Sequence, residues 1–247
     1  MTWWSGARCV GIGVSVACLL AHGAGAQPPN HSKPFLLWPS GAVAFPTGRF
    51  AETHVDPDPS KSMAGQKAGF DAGFEAGYSA SQFVTVGIGL DFARFDLDFD
   101  SDSTVLRYNP KDAHTSVTMA QLWLRGFPAG AYAHWRPYFI FGAGMGRPKG
   151  IIESPLHPQV ARFENTIDTK FGVTVGVGSI IDVGRWLGLS VETRYRRLST
   201  KGAGRKELRI YHDGTSQTFT QDRNGPLVDK SNTNWWELRA GVVISLL

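Results

Sequence analysis

The chain has 247 residues, 42% of them apolar, with 29 glycines, 2 cysteines and a formal charge of +4. That length suits one or two ordinary domains, and so mild a charge leaves no electrostatic footprint for a nucleic-acid partner. The glycines are scattered through apolar segments rather than gathered in one tract, which excludes a flexible linker as their source.

The first segment reads as a targeting sequence. Arg8 precedes the apolar run Cys9 to Ala21, which leads to the small-residue site Ala24 to Ala26. A basic start, a short apolar stretch and small residues at the end describe a secretory signal peptide. The run is shorter than the roughly 20 residues that a spanning helix needs. The expected organisation is a signal peptide over 1–26, a periplasmic leader over 27–35 and one domain over 36–247. Cys9 and Cys18 both lie in the segment to be removed. The mature chain then has no thiol, which excludes a disulfide framework and any Cys-based metal or nucleophile site.

From Leu36 the chain falls into about eight segments whose apolar residues recur at every second position, the period of a β-strand. The first, Leu36 to Phe50, is broken by Pro39 and Pro46, and proline in a sheet marks an edge or a bulge. The second sets Phe70, Ala72, Phe74, Ala76 and Tyr78 against Asp71, Gly73, Glu75 and Gly77. The third sets Val84, Val86, Ile88, Leu90 and Phe92 against Thr85, Gly87, Gly89 and Asp91. Its apolar phase then moves to Phe95, Leu97 and Phe99, which predicts a β-bulge near Ala93. The fourth sets Ala120, Leu122 and Leu124 against Gln121, Trp123 and Arg125. The fifth sets Phe139, Phe141, Ala143 and Met145 against Ile140, Gly142, Gly144 and Gly146. The sixth sets Phe171, Val173, Val175 and Val177 against Gly172, Thr174, Gly176 and Gly178. The seventh sets Leu187, Leu189, Val191, Thr193 and Tyr195 against Gly188, Ser190, Glu192 and Arg194. The last, Trp235 to Leu247, sets Trp236, Leu238, Ala240, Val242, Ile244 and Leu246 against Glu237, Arg239, Gly241 and Ser245.

The connections alternate in length. Those after the second, fourth and sixth segments are short, and those after the first, third, fifth and seventh are long and polar. The longest contains Asp213-Gly214 between alternating runs, which predicts a hairpin standing out beyond the body of the domain.

Alternation does not by itself say which face is buried; a soluble lipocalin-like barrel and a membrane barrel share it. The polar face is mostly Gly, Ser and Thr with few charges. Small residues suit the narrow interior of an eight-stranded barrel better than a surface in water. Short turns on one side and long loops on the other are the habit of outer-membrane barrels, and the segments reach the roughly 9–11 residues that a tilted spanning strand requires. The apolar face is therefore expected to meet lipid, and the last strand to pair with the first so that no edge remains.

The signal peptide, the strand count, the alternating connections and the terminal strand together resemble the eight-stranded outer-membrane barrels of the OmpA/OmpX type, over Leu36 to Leu247. The resemblance implies an all-β, eight-stranded antiparallel up-and-down transmembrane barrel in the bacterial outer membrane, with both mature termini periplasmic. It implies outer-membrane lipid and lipopolysaccharide as surroundings and the barrel-assembly machinery as a partner during biogenesis. One departure is the ending Leu246-Leu247, where members commonly end on an aromatic residue. No periplasmic peptidoglycan-binding domain is expected after the barrel.

The polar face then defines a candidate lumen network of Asp71, Glu75, Asp91, Gln121, Arg125, Glu192, Arg194, Glu237 and Arg239. Unpaired charges in a water-poor interior are costly, so these side chains should pair. They read either as a structural plug or as the gate of a narrow pore. No cofactor or metal site is expected. The mature histidines His31, His54, His114, His134, His157 and His212 fall in predicted loops, turns or the leader, and His114 has only Ser116 nearby as a nucleophile. That leaves the chain without a visible catalytic constellation and predicts a non-enzymatic protein. Among the loop cations, Lys201, Arg205, Lys206 and Arg209 are candidate contacts for lipopolysaccharide phosphate. Trp38, Tyr78, Trp123, Tyr138, Trp186, Trp235 and Trp236 are candidates for aromatic girdles, although the phase of Trp123 points it inward. The sequence thus predicts a structural or surface-interaction role, with long loops offered to an extracellular partner. A small passive channel for ions or small hydrophobic solutes is the alternative.

Overall fold

The computed structural model describes residues 35–51, 65–98, 112–130, 133–153, 156–184, 186–200, 204–221 and 232–246. The expected signal peptide and most of the expected leader lie outside them. The strands are β1 (Phe35–Thr47), β2 (Gly65–Gln66), β3 (Gly69–Ser79), β4 (Val84–Asp98), β5 (Asp112–Gly126) and β6 (Trp135–Glu153), then β7 (Val160–Ile167), β8 (Lys170–Asp182), β9 (Leu187–Leu198), β10 (Arg205–Tyr211), β11 (Ser216–Gln221) and β12 (Thr233–Leu246). Eight of them close on themselves in the order β1-β3-β4-β5-β6-β8-β9-β12, each antiparallel to the next, with β12 returning to β1. The short β2 pairs only the end of β4.

The two faces of this sheet are inverted relative to a water-soluble protein. On the outside, Leu122 is 68% exposed and Leu238 57%, whereas Arg194 on the inside is 0% exposed. A surface of exposed Phe, Leu, Ile and Val around the barrel is stable only against an apolar medium, so this is a membrane-spanning barrel. The short turns and both barrel ends lie together: Phe35 pairs with both Leu246 and Tyr78, beside the turn that leads into β4. Ser245 N–H also donates to the Trp186 carbonyl at 2.9 Å, tying β12 to the neighbouring turn.

Pro39 sits inside β1, which is not an edge strand. It keeps its place opposite Phe74 of β3, while the ladder to β12 is interrupted between Leu37 and Ser40. A residue without an N–H is tolerated because only one of its two ladders is broken.

The predicted bulge near Ala93 is absent. β4 holds one register with β5 from Val84 to Asp96. The apolar phase shifts because Phe95 faces the lumen, where it is fully buried against Trp235. The lumen is layered. At the turn end an apolar layer contains Leu36, Trp38, Trp123, Phe127, Tyr138, Ile140, Ile180 and Val243. At the loop end a second contains Ala44, Ala93, Phe95, Val117, Leu198 and Trp235, with Phe50 packed against it. The main charged network lies between, while Arg136 pairs with Asp182 at the turn-end mouth. Trp38, Trp123, Tyr138 and Trp235 therefore do not belong to lipid-facing girdles; Tyr78, Trp186 and Trp236 are exposed outside.

Beyond the barrel, the end of β6 continues as a sheet with β7, β10 and β11. The predicted hairpin is its tip. Tyr211 N–H donates to the Thr215 carbonyl at 2.9 Å, and Gly214 takes a φ of 81°, which only glycine adopts freely.

Glycine has a packing role inside. Gly77, Gly87, Trp123 and Gly142 form one row across four strands. A Cβ on Gly77 or Gly87 would run into the Trp123 ring. Gly77→Val should lower barrel stability by about 1–3 kcal/mol through overpacking, measured by urea unfolding of the refolded protein followed by tryptophan fluorescence.

Candidate functional site

The lumen network is assembled from barrel strands. Asp71 and Glu75 come from β3, Asp91 from β4, Gln121 and Arg125 from β5, Glu192, Arg194 and Arg196 from β9, and Glu237 and Arg239 from β12, while Thr174 of β8 closes the ring. Strand parity turns each of them inward, and all are buried.

Two linked centres are visible. In the first, Glu75 bridges two guanidinium groups, with Oε1 2.6 Å from Arg194 Nη1 and Oε2 2.5 Å from Arg125 Nη2. Glu192 pairs with Arg194 and accepts from Tyr138 OH at 2.7 Å. In the second, Arg196 reaches Asp91 at 3.0 Å and Glu237 at 2.8 Å, and Arg239 contacts Asp71, Asp91 and Glu237. Gln121 donates to Asp91 at 2.9 Å and accepts from Thr174 at 2.8 Å. Ser40 accepts from Arg239 at 2.7 Å, across the seam between β1 and β12.

The charged and apolar layers are joined through aromatic side chains. The Arg125 guanidinium lies 3.7 Å from the Trp38 ring centroid and 4.3 Å from that of Trp123. Its Nε and Nη1 have no acceptor among the described residues, and the π faces take up part of that charge. At the other end, Trp235 Nε1 donates to Glu237 at 2.6 Å. Trp38 Nε1 donates to Ser190 at 3.1 Å.

Arg196, Tyr138, Thr174 and the inward tryptophans are additions to the sequence-derived network. Arg196 continues the parity of Ser190, Glu192 and Arg194, and Trp235 has the parity of Glu237 and Arg239, so the signal is present in the chain. Among the described residues, no group of three or more His, Cys, Asp or Glu side chains is placed to hold a metal ion.

The expected phosphate contacts fall on β10 and just ahead of it in the chain. Lys201 lies outside the described residues. Arg205, Lys206 and Arg209 lie on β10, where alternation sends Lys206 to one face and Arg209 to the other. Arg209 donates to Glu207 at 2.6 Å and lies 4.4 Å from the Phe219 ring centroid, so its charge is already engaged.

The sequence matches neither a protein-family model nor a curated protein. Solved structures do match. A major outer membrane protein from Thermus thermophilus aligns with a TM-score of 0.60 at 13% identity, covering 87% of this chain and 99% of that one. The outer membrane protein OprG from Pseudomonas aeruginosa aligns with a TM-score of 0.52 at 13% identity, covering 87% and 97%. The chain has the fold of the outer-membrane β-barrels. At such low identity the likeness is one of architecture, and the lumen of this barrel must be read from its own residues.

Two measurements probe these contacts. Arg239→Ala strands the Asp71 carboxylate in the interior and should cost about 3–5 kcal/mol. The double variant Arg239→Met/Asp71→Leu should recover part of that loss, and equilibrium unfolding in detergent measures both. Outside the membrane, His157 Nδ1 accepts the N–H groups of Gln159 at 3.2 Å and Val160 at 2.9 Å. Burial, then His212 and Arg209, hold the His157 pKa below its ordinary value. The neutral ring therefore contributes stability that is complete above about pH 6.5 and is lost as pH falls below it. Hydrogen exchange at Val160, corrected for its intrinsic pH dependence, should accelerate below that pH in the wild type and be fast at every pH in His157→Ala.

Proposed function

We propose that this protein is a closed outer-membrane barrel with a structural or surface-interaction role, whose lumen is a plug with no catalytic part. The observation that carries the reading is the layering: an ion-paired centre held between two apolar layers. Water crosses such a lumen only by breaking both aromatic packings. Trp38 packs edge-on against Trp123 with ring centroids 6.1 Å apart, and Phe95 packs against Trp235 at 5.9 Å.

In this reading residues 1–26 are cleaved during export, the short turns and both barrel ends face the periplasm, and the barrel-assembly machinery inserts the chain. The sheet formed by β6, β7, β10 and β11 then projects outward, where it meets lipopolysaccharide or an extracellular partner. A small passive channel remains the second reading. It is favoured by one observation: Arg125, Arg194 and Arg196 each keep a buried N–H without an acceptor among the described residues, so the network has spare donors with which to rearrange.

Planar-bilayer recording separates the two. The plug reading expects a correctly refolded wild-type barrel to be electrically silent and Trp38→Ala/Trp235→Ala to show discrete openings. Reproducible openings in the wild type would instead establish the channel.

A further inference from the structure

The projecting sheet ends on an open edge. β11 has β10 on one side and, among the described residues, no strand on the other. Tyr211 N–H donates to the Thr215 carbonyl, so in the register of this hairpin the backbone groups of Gln217 and Phe219 point to β10. Those of Ser216, Thr218 and Thr220 point the other way, and all three residues are exposed. A free edge is a template for another strand, and proteins that keep such an edge free place charges, prolines or bulges on it. Ser216–Gln221 contains no charged residue and no proline, and its ladder with β10 is unbroken.

The strand is also a palindrome: Gln217-Thr218-Phe219-Thr220-Gln221 reads alike in both directions. A second copy laid antiparallel against β11 and centred on Phe219 therefore meets the same residue types at every step. Phe219 then stands opposite Phe219 of the partner subunit at a position without ladder bonds, where side chains approach most closely. Thr218 stands opposite Thr220 of the partner subunit, and Thr220 opposite the partner's Thr218. These are the residues whose N–H and C=O groups are free, so the two threonine pairs exchange four hydrogen bonds about one two-fold axis. Neutrality matters here, because a two-fold contact sets like against like and a charge at its centre meets its own copy. Phe219 is half-buried, with Arg209 over its ring and the Arg209 charge paired with Glu207.

We propose that β11 is a self-recognition edge, through which two copies of this protein join by antiparallel β11–β11 pairing centred on Phe219. The contact makes one continuous sheet of the two projecting sheets. It rests on the reading of that sheet as the surface-interaction part of the molecule, and names its partner. A strand pair this short buries less than the roughly 1,000 Å² of a stable interface. The association is therefore weak and reversible, and grows with the density of barrels at the surface.

The test is disulfide trapping in the full chain, refolded in detergent, with Cys9 and Cys18 replaced by serine so that one introduced thiol is the only one. In the proposed register the two Phe219 Cα atoms lie about 4.5 Å apart, within disulfide reach. The two Gln217 positions lie about 14 Å apart, beyond it. Under mild oxidation Phe219→Cys should form at least about ten times more covalent dimer than Gln217→Cys. Adding Thr220→Pro, which removes an edge N–H and leaves the β10 ladder intact, should bring Phe219→Cys down to the Gln217→Cys level. Heat-modifiable gel mobility establishes that each variant is folded. Equal trapping at both positions, or trapping that survives Thr220→Pro, overturns the proposal. Equal trapping is the result expected if residues 222–231 of the same chain take the edge, or if it is kept for a different protein. That outcome is distinct from failure of the surface-interaction reading, which wild-type channel openings would bring. Should the cysteine variants fail to fold, sedimentation velocity of the wild type at rising concentration decides. A shift from monomer to dimer that Thr220→Pro abolishes supports the contact; a monomer throughout, or a dimer that Thr220→Pro leaves intact, overturns it.

Discussion

A strand in lipid cannot leave a backbone N–H or C=O unpaired, because no water is there to satisfy it and each such group costs several kcal/mol. That constraint bends the sheet until β12 meets β1. With eight strands the enclosed space is only about as wide as the side chains that fill it. Lipid takes one face of every strand, so everything that lipid rejects must go inside. The inner wall is therefore crowded with groups that are individually expensive to bury, and it is stable only as a mutually paired set. The glycines beside Trp123 answer the same shortage of space: Gly77 and Gly87 give up a side chain so that one indole fits.

The layering of the lumen follows from electrostatics. Charges gain most from one another where the surroundings are least polarisable, and they need screening from water at both ends to keep that gain. The apolar layers provide it. Arg125 stands at one boundary and makes both kinds of contact, a carboxylate on one side and aromatic faces on the other. A guanidinium suits that position because it is planar and weakly hydrated. The lumen thereby acts as a second hydrophobic core with a polar centre.

Much of this architecture is legible in the sequence because a strand has only two faces. Once lipid is assigned to one face, parity alone turns Glu192, Arg194, Glu237 and Arg239 toward each other. What misleads is chemistry that fits two places. Tryptophan is at home at a membrane interface and in a packed core, so Trp38 and Trp235 pass for girdle residues although the parity of Trp235 matches Glu237. Phe95 passes for a change of register because a large apolar residue on the inner face is unexpected until the loop-end apolar layer is known. Arg196 needs only one further step along β9. His114 is on β5 rather than in a loop, and the junction of Asp112 with His114 and Arg94 is less accessible, since it requires the register between β4 and β5. The pairing of β7 with β10, across the whole of β8 and β9, has no local signature at all.

The seam has a consequence for how the molecule comes into being. Ser40 and Arg239, which hydrogen-bond across it, are 199 positions apart in the chain. A row of edge groups on β1 stays without its partner until β12 has been made and delivered. An order of synthesis in which the first strand waits for the last favours closure as one late event, slow in the way that non-local β pairing is slow. Until then the polypeptide carries an open edge and an apolar face at once, the combination most prone to mispairing. Its safe passage to the membrane is therefore a matter of timing and protection.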